Sequence, residues 1–173
     1  MSTTLAAASR PGSSSSAIKT ILLAGFVAGS LDMLAAIIVT SVRLHHVLFY
    51  QPTATLILQS IAAGVFGQEA FDGSNKMLWF GLGFHFIIAF SFAIFYFIVF
   101  PYLAFLRKQK ILSGLLYGIF AWMVMNLAVL PLLRIANIPH KWDAIARGAG
   151  ILMFCIGLPV SLIVHRHYMS RDR

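Results

Sequence analysis

Asp32, Gln59, His85 and Asn126 are polar side chains set inside long apolar stretches, a pattern that suits holding a proton or a small polar ligand. Asp32 stands in "GSLDMLAA", residues 29–36, and is the sole charge in the 23 positions between Lys19 and Arg43. In a bilayer an isolated carboxylate costs ~2.5–3.5 kcal/mol on insertion scales. Two escapes exist: the carboxyl keeps its proton and stays neutral, or His85 pairs with it as an imidazolium. Either way its proton can respond to pH or to a ligand, which makes Asp32 a candidate site residue. The competing reading is structural, with all four groups hydrogen-bonding across helices to fix their register. Interhelical hydrogen bonds average well below the insertion cost of a charge, so that reading is weak for Asp32 and adequate for Asn126 and Gln59.

Other constellations carry less. The "HH" at 45–46 and the "HRH" at 165–167 fall at predicted helix ends and read as interfacial polar anchors, because adjacent histidines point ~100° apart on a helix and chelate poorly. Arg107, Lys108 and Lys110, in "RKQK", form a basic turn suited to anionic lipid headgroups. The one cysteine, Cys155, reads as a small buried hydrophobe. "AGVFG" lacks the strand and the Lys-Ser/Thr of a phosphate loop. With neither a Ser–His pair at usable spacing nor a metal triad nor a nucleotide motif, no catalytic residue, metal or cofactor is expected, and an intramembrane enzyme is the weakest of the functional readings.

The elements that must position these residues follow from composition. Hydrophobic residues make up 60% of the chain and charged ones 10%, far below the quarter typical of soluble domains. The formal net charge of +8 sits between the apolar runs rather than on one soluble face, which argues against nucleic acid and for the loops of a membrane protein. Residues 1–17, rich in Ser, Pro and Gly, read as a disordered tail. Four runs are long enough to span, at about 19–42, 77–101, 111–133 and 145–165, with Pro101 marking one end and "DAIAR" extending the last run. Residues 169–173 form a second tail, and Trp79, Tyr96, Tyr102 and Tyr168 read as interfacial aromatics. The Phe-rich stretch 84–105 reads as lipid-facing surface and packing.

A fifth segment, 52–67, is helical in period but only 16 residues long. If it does not cross, eight Lys and Arg share the side of both termini against five on the other; if it crosses, the split is six against seven. The positive-inside rule therefore predicts an all-α membrane protein with a four-transmembrane-helix bundle and both termini cytoplasmic, the segment 52–67 lying on or dipping into the outer leaflet. Small residues and polar ones share helical faces: Gly25, Gly29, Asp32 and Ala36; Gly81, His85, Ala89 and Ala93; Gly114, Gly118, Trp122 and Asn126; Thr55, Gln59, Ala63 and Gly67. Such faces allow close approach and point inward, and they also permit a homodimer. At 1.5 Å rise per residue, Asp32, His85 and Asn126 lie ~10–15 Å below the outer ends of their helices, so the polar groups can meet at one level.

The motifs "LQSIAAGVFGQEAF", "GLGFHFIIAF", "YG" with "MN" and "LPL", and "GLPVSL" resemble the small bacterial inner-membrane proteins of the YagU type. The likeness covers about residues 20–165. It implies a four-helix bundle of unassigned function in a bacterial cytoplasmic membrane, and it puts weight on Asp32, Gln59, His85 and Pro159. Two functions compete. One is a protein that binds or transports a small ligand through an outward-facing polar site with a protonatable Asp/His pair. The other is a structural or regulatory membrane subunit whose polar residues lock its helices.

Overall fold

The computed structural model describes residues 12–44, 53–132 and 141–170. In chain order these form α1 (Gly12–Leu44), α2 (Thr53–Phe66), a 3-10 turn over Gly67–Phe71, α3 (Asn75–Val99), a second such turn over Phe100–Tyr102, α4 (Ala104–Lys108), α5 (Lys110–Val124), a π segment over Met125–Val129, α6 (Leu130–Leu132), α7 (Trp142–Leu152), a second π segment over Met153–Gly157, and α8 (Leu158–Met169). Four continuous stretches are long and apolar enough to cross a bilayer: Ser15–Val42, Asn75–Tyr102, Lys110–Leu132 and Trp142–Met169. The chain is an all-helical, multi-pass membrane protein whose four long helices suit a four-helix bundle.

α1 starts at Gly12, inside the stretch expected to be a disordered tail; residues 1–11 lie outside the described part. Extending an existing helix is cheap once it has nucleated. The extension is also tied down, since Thr20 Oγ1 donates to Ser16 O at 3.0 Å and lies 2.8 Å from His167 Nδ1 on α8. The "HH" at 45–46 lies outside the described residues. The "HRH" residues do more than sit at a helix end. His165 Nε2–H donates to Arg107 O at 3.0 Å, and His167 is buried against α1.

The third and fourth spanning stretches each contain a π segment, and each π segment precedes a proline. Pro131 and Pro159 have no N–H to return to residues Leu127 and Cys155, and a proline ring crowds the carbonyl four residues back. Both of those carbonyls fall inside the π segments, where the wider turn re-spaces the backbone. Packing between α5 and the second π segment is backbone to backbone. A Cβ at Gly118 would collide with Met153 Cα, and one at Gly114 would lie 3.0 Å from Gly157 O. The glycine stripe of α5 is thus occupied by contacts within the chain.

Around this approach lies the main core, with Ala24 and Ala28 from α1, Tyr96 from α3, Tyr117 from α5 and Val160 and Val164 from α8. Tyr96 is 1% exposed, not interfacial as its position near a predicted helix end suggested. It can be buried because its hydroxyl finds partners between the helices: it donates to Ser161 Oγ at 2.8 Å and lies 3.0 Å from Ser113 Oγ. Ser161 Oγ in turn donates to Lys110 O at 2.7 Å, and Tyr117 Oη donates to Phe92 O at 2.6 Å. Within the Phe-rich stretch, Phe92 and Phe100 are buried, whereas Phe95 and Phe105 are exposed.

Candidate functional site

The half of the bundle toward the C-terminal end of α1 and the N-terminal ends of α3 and α7 is built differently. Asp32 on α1, Ser60 on α2, His85 on α3, Trp122 on α5 and Asn126 in the first π segment face a cavity of about 560 Å³. Phe92 and Ile156 line its inner part, next to the packed core. A volume of that size falls in the ~300–1,000 Å³ range of small-molecule sites.

Each polar group is positioned by local rules. Gly29 lets α1 approach α3 closely: a Cβ there would lie 2.9 Å from the Phe86 ring and 3.0 Å from Ala89 Cβ. At this approach His85 Nε2–H donates to Gly29 O at 2.8 Å, so the ring nitrogen bridges the two helices one turn before Asp32. Asp32 and His85 line the same cavity. They are not joined as an ion pair, however; among the described residues the salt bridge is Arg147–Asp143, at 3.0 Å on the exposed side of α7. Trp122 packs its indole against Gly148, where a Cβ would come within 2.7 Å of Nε1. Asn126 Nδ2 donates to Trp122 O at 2.9 Å, one turn back in its own span. Asn126 is therefore not cross-linking helices through this bond, contrary to the lock expected of it.

Three of the four sequence candidates, Asp32, His85 and Asn126, line this cavity. Gln59 does not. It is 4% exposed and buried in α2, which packs along α3, where a Cβ at Gly81 would collide with Leu58 O. That close contact sets the rotation of α2, and the next residue, Ser60, faces the cavity in place of Gln59. A lone serine in an apolar helix carries no signal of its own in sequence. The stripe Thr55, Gln59, Ala63 and Gly67 pointed to a different face. Cys155 is half-buried in the second π segment.

Among the described residues the lining contains neither Lys nor Arg, and Asp32 is its single carboxylate. Among the described residues no group of three His, Cys, Asp or Glu comes together as a metal site. The arrangement offers an acid, an imidazole, an amide and a hydroxyl around a largely apolar space. That arrangement can hold a polar group and exchange a proton with it. No family model, curated protein or solved structure matches the chain.

Proposed function

We propose that the protein binds a small molecule in the Asp32–His85–Asn126 cavity and, by exchanging a proton at Asp32, moves that molecule across or out of a membrane. The observation that carries this reading is convergence. Polar groups from α1, α2, α3 and the third span face one cavity of ligand size, inside spanning stretches that are predominantly apolar. A carboxylate kept at membrane depth with no Lys or Arg beside it among the described residues is costly as a structural device and useful as a proton or ligand site. The eight-to-five split of basic residues supports both termini in the cytoplasm, which would put the cavity in the outer half of the bilayer and α2 at the outer leaflet. The motifs around Gln59 and His85 support kinship with YagU-type proteins and hence a bacterial cytoplasmic membrane. The exposed basic turn at Arg107, Lys108 and Lys110 would then meet anionic headgroups of the inner leaflet.

One observation favours the structural alternative, the bond from His85 to Gly29 O, which locks α3 to α1. Thermal unfolding of detergent-solubilised Asp32→Asn beside wild type, from about pH 5 to about pH 8, separates the two. A variant as stable as wild type, or more so, at every pH is the expected result. A large loss of stability throughout would make Asp32 a lock and sink the ligand reading.

A further inference from the structure

We propose that the ligand is a protonated organic amine, its ammonium head hydrogen-bonded at Asp32 and its apolar body filling the cavity. The inference rests on reading the cavity as a ligand site, and it comes from where the donor hydrogens around that cavity go. Ser60 Oγ–H donates to Leu56 O at 2.7 Å, which leaves oxygen lone pairs for a guest. His85 Nε2–H is committed to Gly29 O, so the other ring nitrogen of a neutral imidazole is an acceptor. Asn126 Nδ2 is committed to Trp122 O, which turns Oδ1 away from its own helix and leaves one amide hydrogen. Ionised Asp32 accepts only. Against these acceptors stand the Thr40 hydroxyl, the Trp122 indole N–H and one amide hydrogen of Asn126 as donors, and among the described residues the wall holds one acid and no Lys or Arg.

A ligand that fits such a wall brings donors and positive charge. A primary ammonium has three N–H donors, and hydrogen bonds between ionised partners are the strong ones. Trp122 and Phe92 add aromatic rings at which a cation is favoured. An anion would face Asp32 with no basic side chain among the described lining residues to offset it. A sugar would need more polar partners than the described wall provides, with five polar side chains and the Trp122 indole among its twenty residues. The apolar remainder, which includes Ile57, Ile61, Ile88 and Leu152, suits an alkyl or aryl body.

The test uses Trp122 as reporter in full-length protein carrying Trp79→Phe and Trp142→Phe, both exposed positions at 73% and 83%. Four head groups on one phenylalkyl body, with chains from butyl to octyl, are titrated at neutral pH: primary ammonium, trimethylammonium, alcohol and carboxylate. The ammonium series is expected to bind about tenfold or more tightly than the other three, as a hydrogen bond to a charged group predicts. Asp32→Asn should remove that preference, and Ser60→Ala should reduce it. Ser60→Ala keeps the test alive if Asp32→Asn does not fold. Equal binding of trimethylammonium would overturn the hydrogen-bonded ammonium. Equal binding of alcohol or carboxylate would overturn the amine class while leaving a ligand cavity. No binding by any chain length or head group would overturn the ligand reading together with the amine.

Discussion

The two halves of this bundle use the same kinds of residue for opposite ends. Toward the start of α1 and the end of α8, small residues bring backbones together and polar groups meet between helices: Tyr96, Ser113 and Ser161 form a set around Lys110 O. Toward the other end, Asp32, His85 and Asn126 continue the small-residue faces that begin at Gly25, Gly81 and Gly114, but the helices around them enclose a cavity. No residue of α7 or of the first π segment is buried, whereas Val160, Ser161, Val164 and His167 of α8 are. A polar residue in a membrane helix is thus not one kind of object. With its bonds closed on neighbouring helices it contributes stability, and facing a cavity it is available to something else.

The largest expected effect breaks the packed half. Gly118→Leu forces a side chain into Met153 and should cost about 1–3 kcal/mol or more, read as a lost or broadened unfolding transition in detergent. Leu in place of Ala36, on the cavity wall, adds similar bulk to open space and should move the transition little. Next, Tyr96→Phe removes a buried hydroxyl from its two serine partners and should lower stability by about 1–2 kcal/mol. Asn126→Leu should cost less than that, since the amide is bonded only within its own span, yet it should weaken ligand binding; thermal unfolding and Trp122 fluorescence read the two effects separately. If Asn126→Leu destabilises as much as Tyr96→Phe, the contrast between the halves fails.

The smallest effect lies outside the membrane, at the turn into α3. Ser74 N–H donates to Asp72 Oδ1 at 2.7 Å, and that bond holds the Asp72 carboxyl below its ordinary range. A depressed carboxyl stabilises the fold above its unfolded value, ~3.9, and that contribution fades as pH falls through the lower folded value. Amide exchange at Ser74 should therefore quicken in strong acid and in Asp72→Ala, with almost no change in global unfolding because the group is fully exposed.

Much of this was legible in the chain. Spanning a bilayer demands long apolar runs, so the four helices and their ends near Pro101 and "DAIAR" could be placed by length alone. The period of the helix put Asp32 with Gly29 and Asn126 with Trp122, and the convergence of Asp32, His85 and Asn126 followed from depth. The π segments left a mark that went unread: each proline points to a displaced carbonyl four residues back, at Leu127 and Cys155.

Pattern and length determined which stretches are helices and which of their faces are small or polar, because those depend on local geometry and on the cost of exposing polar groups to lipid. Only the tertiary structure decided which polar residues are closed off and which face the cavity. The rotation of α2, set by Gly81 against Leu58, buried Gln59 and turned Ser60 inward; the meeting of α3, α5 and α8 gave Tyr96 its serines. Those outcomes depend on contacts between residues far apart in the chain, and a helical period leaves the rotation of each helix about its own axis open until a neighbour packs against it.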